Sequence, residues 1–173
     1  AHAGALGVLG AAAAAGADAL DRQIAMIAGT STCHMALSTV PRPVPGVWGP
    51  YLGAVLPGLW LEEAGQSASG ALLDHIVALH AASRELEGNP HAALVARIGE
   101  LRAQEGPAFA HGLHVLPDFH GNRSPLADPH ATGVVSGLTL DSSLDALARV
   151  YYRTAVAIAL GTRHILEALN ARG

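Results

Sequence analysis

Residues 118–140, DFHGNRSPLADPHATGVVSGLTL, carry the strongest structural signals in the chain. The first half combines a Gly-Asn dipeptide with Pro125 and Pro129, a composition typical of tight turns rather than of regular structure. The second half is spaced by Gly133 and Gly137 and lies just ahead of a long apolar-periodic segment. The stretch therefore predicts a polar turn and a short glycine-spaced element that lead into a helix.

The segment after this stretch predicts one long helix. Residues 142–145, Ser-Ser-Leu-Asp, resemble a capping box at its start. Apolar side chains then line one face at helical spacing. They are Leu144, Leu147, Tyr151, Ala155, Ile158, Ile165 and Leu169. A bend in this helix, if there is one, would fall at Gly161.

Two amphipathic helices and a short strand are predicted ahead of the turn. Apolar positions recur at helical spacing in residues 69–84 and again in residues 94–101, and Gly88-Asn89-Pro90 divides the two segments. Residues 113–117 are typical of a short strand.

The N-terminal part adds another helix and a hairpin. Residues 1–20 are small and apolar and predict a closely packed helix. Residues 23–39, QIAMIAGTSTCHMALST, contain two apolar runs joined by Gly-Thr-Ser-Thr, which predicts two buried strands and a tight turn. Residues 41–61 include five prolines, so we expect loop and edge-strand structure there. The fold class is α/β.

The signature turn, residues 121–125, is Gly-Asn-Arg-Ser-Pro and resembles the Gly-(Glu/Asn/Arg)-Arg-(Thr/Ser)-Pro turn of the FGGY carbohydrate kinases. Residues 133–138 are similar to the Gly-x-x-x-Gly-Leu element that follows it in that family. The resemblance implies part of a ribonuclease-H-like (actin-type ATPase) domain, ATP and Mg²⁺ as cofactors, and a small-molecule sugar as substrate. Residues 47–75, with Asn122 and Ser124, resemble the ribulokinase-like branch, which implies a ketopentose such as D-ribulose.

The predicted turn between the first two strands is a candidate phosphate site. Gly29 lets the backbone approach a ligand, and the N–H groups and hydroxyls of Thr30 and Ser31 can converge on one anion. An ordinary hairpin turn is the alternative. By resemblance to the family, Gly29 and Thr30 face the terminal phosphates of ATP, with Ser31 as a neighbour.

A second candidate is the start of the helix near residue 70. Unpaired N–H groups and the helix dipole at such a start favour an anion, although a plain Ser cap is the alternative. By the position of the motif in the family, Gly70 and Asp74 lie beside the nucleotide. In the signature turn, made by Gly121, Asn122, Arg123 and Pro125, the Arg either orients loops around the cleft or holds the turn through a carbonyl or Asp contact.

A histidine-rich stretch supports a different class of protein. His111, His114 and His120 lie close in sequence to Asp118, and such ligands can build a metal site for a hydrolase. However, HExxH is absent, and the three histidines span a loop, a strand and a turn, so a metal site is not expected. A sugar or nucleotide sensor of the same kinase fold is the other alternative.

Composition limits the partners. The net charge is −4 without a basic cluster, which argues against nucleic acid, and no apolar run approaches the ~20 residues of a membrane-spanning helix. All ten basic residues are Arg, so lysine-dependent phosphate motifs are excluded. The single Cys33 fits a reducing cytoplasm. The sequence leaves open whether the protein forms a homodimer.

The resemblance covers nearly all of residues 1–173 but only about the middle third of a typical family member. By motif position, the catalytic Asp of the family would directly precede Ala1. The sugar-binding N-terminal domain and the Gly-Gly segment that binds adenosine also lie outside this partial C-terminal domain. We therefore expect the intact protein to be the kinase, and residues 1–173 alone neither to bind ATP tightly nor to turn over.

Overall fold

The computed structural model describes residues 2–171, with the backbone alone at His2. The helices are α1 (His2–Ala15), α2 (Ala17–Leu20), α3 (Gly70–Leu79), α4 (Pro90–Glu105) and α5 (Leu144–Asn170). The strands are β1 (Ala25–Ala28), β2 (Thr32–Ser38), β3 (Trp48–Leu52), β4 (Trp60–Gln66), β5 (His114–Leu116) and β6 (Val134–Ser136). Short 3₁₀ turns cover Ala81–Glu85 and Gly106–Ala108. The predicted α/β class and the long C-terminal helix are confirmed.

Four strands form one antiparallel sheet in the order β1-β2-β4-β3. The predicted hairpin is β1 and β2, in which Ala28 pairs with Thr32 across the turn at residues 29–31. Strand β3 lies at the edge, as the prolines predict. Strand β4 lies inside the sheet, where Thr32 pairs with Gln66 and Ser38 with Trp60.

The prediction of loop or edge structure up to residue 61 missed β4, because two consecutive carboxylates interrupt its apolar run. Both carboxylates have partners in the fold. Glu62 is only 4% exposed and accepts hydrogen bonds from the Arg42 amide at 3.3 Å and the Ser38 hydroxyl at 3.4 Å. Glu63 pairs with Arg123. Burial raises the pKa of Glu62 above its usual range.

Two apolar cores lie in different parts of the fold. Helices α1 and α2 cover one face of the sheet through Leu9, Leu20, Met35, Leu37 and Leu61. Helices α3, α4 and α5 form the other core. Its buried members include Leu72, Ile76, Leu94, Leu101, Leu147, Val150 and Tyr151. The predicted first helix ends at Ala15 rather than at residue 20, because Gly16 adopts a φ of 106°.

Helix α5 joins the second core to the sheet. Ser143 caps its start by accepting a hydrogen bond from the Ala146 amide at 3.2 Å. The helix runs without interruption through Gly161. A Cβ at Gly161 would lie 2.5 Å from Gln66 Nε2, which itself donates to the Ile158 carbonyl at 2.8 Å. Glycine at this position lets α5 approach the end of β4.

The glycine-spaced element after the signature turn forms β6, which pairs with β5 in a separate two-stranded sheet. In the register, Leu116 faces Val134 and His114 faces Ser136. Among the helices described, none is both long and apolar enough to cross a membrane.

Candidate phosphate turn and signature turn

The turn between β1 and β2 packs directly against the start of α3. The Ser69 and Ala71 amides donate to the Thr30 carbonyl at 3.0 and 3.1 Å, and the Gly70 amide donates to the Gly29 carbonyl at 2.9 Å. The prediction that the start of this helix offers unpaired N–H groups to an anion is therefore wrong for these three amides. They hold the carbonyl side of the turn instead.

Ser69 is not a plain helix cap either. Its hydroxyl donates to the Gly29 carbonyl at 3.0 Å and accepts from the Thr32 hydroxyl at 2.8 Å. Both hydroxyl groups belong to buried residues, so these hydrogen bonds help fix the turn on the helix. A Cβ at Gly70 would lie 2.6 Å from the Gly29 carbonyl oxygen, and only glycine permits this approach.

The opposite side of the turn is open. Within residues 2–171, the backbone amides of Thr30 and Ser31 donate to no acceptor, and their hydroxyls have no partner. Thr30 is exposed and Ser31 is half-buried. Since the carbonyls face α3, two N–H groups and two hydroxyls are left to bind a ligand from solvent. Such a donor set suits a phosphate.

Asp74 lies one helical turn beyond Gly70. Its carboxylate does not reach the turn in this structure but accepts from His91 on α4, with Oδ1 2.8 Å from Nε2. The structure thus joins Gly29 to Gly70 by a direct hydrogen bond and Thr30 to the two neighbours of Gly70. It places Asp74 further along the same helix.

The signature turn is held by its own polar groups. Gly121 adopts a φ of 72°, where glycine is favoured, and a Cβ there would lie 3.0 Å from Pro129. The Asn122 amide donates to the Asp128 carbonyl at 2.8 Å. The Asn122 side chain donates to Asp118 at 3.0 Å and accepts from the Leu126 amide at 3.1 Å. Asn122 is thus the central residue of this turn.

The signature turn also docks onto the large sheet. The Ser124 hydroxyl donates to the Gly46 carbonyl at 2.9 Å, and a Cβ at Gly46 would overlap the carbonyl oxygen of Pro125. Arg123 Nη2 lies 2.8 Å from Glu63 Oε1, and its guanidinium carbon lies 4.0 Å from the centre of the Trp48 ring. Arg123 therefore clamps the turn to strands β3 and β4.

The charge of Arg123 is paired with Glu63, while its Nε is buried without a hydrogen-bond partner among the described residues. Both side chains of the Arg123–Glu63 pair are 18% exposed. The structure supports a holding role for Arg123, although the partner is Glu63 rather than the expected carbonyl or Asp.

Burial and then the Arg123 charge lower the pKa of the nearby buried His34, whose Nε2 lies 3.3 Å from the Thr162 hydroxyl.

The histidine-rich stretch does not assemble into one site. His111 lines a cavity near α5, His120 lines a different cavity beside the signature turn, and His114 projects from exposed β5. No group of three His, Cys, Asp or Glu side chains that could hold a metal ion occurs among the described residues. The hydrolase hypothesis has no support in this geometry.

Sequence reasoning missed two features near the predicted sites. Glu63 is the counterion of Arg123, and the two carboxylates within an apolar run were the signal that could have revealed it. His91 contacts both Asp74 and Tyr151 and so links three helices, and no local pattern in the sequence indicates these contacts.

The chain belongs to the FGGY family of carbohydrate kinases, since residues 24–173 match the C-terminal domain of that family. The chain is 50% identical over 187 residues to an FGGY carbohydrate kinase domain-containing protein of Xenopus laevis, a match covering 100% of this chain and 34% of the relative. It is 37% identical over 162 residues to a D-ribulokinase of Saccharomyces cerevisiae, over 87% of this chain and 23% of that protein. The chain thus spans about a third or less of these relatives.

The crystal structure of a xylulose kinase from Rhodospirillum rubrum is similar, with a TM-score of 0.66 and 27% identity over 87% of this chain and 28% of that one. Together with the family match, this similarity confirms the predicted actin-type ATPase fold.

Proposed function

We propose that the intact protein containing this chain is an ATP-dependent carbohydrate kinase that phosphorylates a ketopentose such as D-ribulose. The observation that carries the proposal is the turn at residues 29–31, whose open side presents two amides and two hydroxyls that have no hydrogen-bond partner within residues 2–171. Membership of the FGGY family supports the reaction class. The name of the yeast relative, a D-ribulokinase, supports the pentulose.

Phosphoryl transfer from ATP relies on positioning and on donors aimed at the transferring group. In our proposal the Thr30 and Ser31 N–H groups donate to the terminal phosphates, and Gly29 allows close approach. Gly70 lets α3 support the turn from behind. The base that accepts the proton of the sugar hydroxyl would be the Asp that family resemblance assigns to the position before Ala1.

The described residues offer Mg²⁺ no cluster of carboxylates, so they do not fit a magnesium site built from protein ligands alone. Within these residues the donors that fit ATP are the amides and hydroxyls of the turn.

The experiment is ADP release by the intact protein with ATP, magnesium and a panel of pentuloses, pentitols and glycerol. Turnover confined to a pentulose supports both the reaction and the substrate class. Turnover only with glycerol or a pentitol would keep the kinase and reject the ketopentose. ATP binding without turnover on any sugar would favour the nucleotide or sugar sensor.

A further inference from the structure

Three titratable side chains link α3, α4 and α5 beside the proposed nucleotide site. Asp74 Oδ1 on α3 lies 2.8 Å from His91 Nε2 on α4, and His91 Nδ1 lies 2.9 Å from the Tyr151 hydroxyl on α5. The Asp74 side chain is 69% exposed, whereas Tyr151 is 6% exposed. His91 therefore connects a buried hydroxyl to a carboxylate that faces solvent.

The hydrogen-bond pattern assigns the tautomer of His91. A carboxylate only accepts hydrogen bonds, so Nε2 carries the hydrogen that points to Asp74. Burial, and then the Asp74 charge, raise the pKa of Tyr151, so this hydroxyl keeps its proton. Its only hydrogen-bond partner among the described residues is His91 Nδ1, which accepts the hydroxyl hydrogen when the imidazole is neutral. Donation thus runs from Tyr151 to His91 and from His91 to Asp74.

Asp74 lies on the side of α3 that continues from the phosphate turn. It follows Gly70 by four residues, so it lies on the same helix face and about 6 Å further along the axis. Its Oδ1 is held by His91, while Oδ2 has no partner among residues 2–171. A nucleotide with its terminal phosphates at residues 29–31 could extend its ribose hydroxyls towards this free oxygen, and carboxylates commonly accept from ribose.

We propose that His91 is a positioning residue for the nucleotide: it orients Asp74 so that the free carboxylate oxygen accepts a hydrogen bond from the ribose of ATP. Tyr151 fixes the tautomer that His91 needs for this role. The inference rests on the proposed function for the location of the phosphates, and it adds a contact to the nucleoside.

The test compares His91→Leu with His91→Gln in the intact protein. Leucine frees Asp74, whose side chain must then be ordered when ATP binds, so we expect the KM for ATP to rise about three- to tenfold. The kcat and the KM for the sugar should stay within about twofold. Glutamine can donate to Asp74 and accept from Tyr151, so it should restore the wild-type KM. His111→Leu, at an exposed histidine in a turn, is the matched control.

A nucleotide without ribose hydroxyls separates this role from a purely structural one. With 2′,3′-dideoxy-ATP as the substrate, His91→Leu should no longer raise the KM. This nucleotide lacks the ribose hydroxyls that Asp74 contacts in our proposal, so there is no contact left to lose. An unchanged KM for ATP in His91→Leu, or an equal penalty with both nucleotides, would overturn the proposal. If His91→Leu fails to fold, Tyr151→Phe removes only the hydroxyl, and a rise of about twofold confined to ATP is expected.

Failure of the proposed function gives a different result. In that case the wild-type protein turns over no sugar at all. The affinities of the same variants for ATP and for 2′,3′-dideoxy-ATP, measured by calorimetry, then provide the same comparison without turnover.

Discussion

Gly70 is the residue on which the geometry of the proposed phosphate turn, residues 29–31, depends most directly. Its amide bonds the Gly29 carbonyl, and a Cβ would lie 2.6 Å from that oxygen, an atom of the backbone that cannot rotate away. The close approach of α3 to the turn therefore requires glycine. Three successive amides, those of Ser69, Gly70 and Ala71, share this contact, so a shift at residue 70 displaces the whole turn.

We expect Gly70→Ala to lower the free energy of unfolding by about 1–3 kcal/mol, the range for forced overpacking, and to reduce ADP release by the intact protein. The control is Gly99→Ala at an exposed position of α4, where a Cβ meets nothing within 4 Å. That substitution should stabilise by about 0.5–1 kcal/mol, because alanine favours the helix interior. Chemical denaturation of both variants checks the pair, and equal effects at the two glycines would contradict the packing argument.

His34 makes stability depend on pH. Its pKa is lowered in the folded state by burial and by Arg123, so the unfolded chain binds the proton more readily. The free energy of unfolding should therefore fall as the pH drops below about 6.5, the value for an unperturbed histidine. Above that pH His34 is neutral in both the folded and the unfolded chain, so it does not lower the free energy of unfolding.

His34→Gln should lose this dependence. The slope of unfolding free energy against pH, measured by denaturation between pH 7.5 and 5, should be shallower in the variant. The difference can reach at most about 1.4 kcal/mol per pH unit, the value for one proton. Parallel curves for the two proteins would show that His34 takes up no proton on unfolding in this range.

At the scale of elements, the signature turn is joined to the sheet mainly through Arg123. The guanidinium pairs with Glu63 on β4 and stacks on Trp48 of β3. Because both members of the ion pair are largely buried, removing the cation leaves a carboxylate without a counterion in a poorly hydrated place. Breaking such pairs costs much more than breaking pairs on the surface.

Arg123→Met should destabilise the protein by about 2–4 kcal/mol. Arg163→Ala, which removes an exposed pair with Glu167 within α5, should change stability by less than about 0.5 kcal/mol. Thermal and chemical denaturation of the two variants provide the comparison. A loss at Arg123 as small as that at Arg163 would mean that the turn is held by Ser124 and Asn122 without the ion pair.

The elements that the sequence predicts well are those with a local signal. Helices α3, α4 and α5 follow from apolar periodicity, and the β1–β2 hairpin follows from two apolar runs around Gly29. Strand β4 was missed because Glu62 and Glu63 look solvent-exposed until Ser38 and Arg123 are known to face them. The hydrogen bonds from the amides at the start of α3 to the carbonyls of Gly29 and Thr30 could not be predicted, because these acceptors lie about 40 residues earlier in the chain.

At the scale of the whole molecule, the chain contains the proposed phosphate turn and spans about a third or less of the relatives that it matches. We expect residues 1–173 alone to release no ADP above background from ATP and a pentulose. The physical reason is that, in our proposal, the base and the adenosine-binding segment come from other parts of the protein. Sugar-dependent ADP release by this chain would contradict that division of roles.

The most direct measurement of the central claim is sugar-dependent ADP release by the intact protein, with D-ribulose, ATP and magnesium, for wild type and Gly70→Ala side by side. The account predicts turnover that requires D-ribulose in the wild type and a clear loss in the variant, while Gly99→Ala remains active. Full activity in a folded Gly70→Ala protein would contradict the role of the turn. Absence of turnover in the wild type with every pentulose would contradict the ketopentose substrate, and absence of turnover with glycerol and the pentitols as well would contradict the kinase.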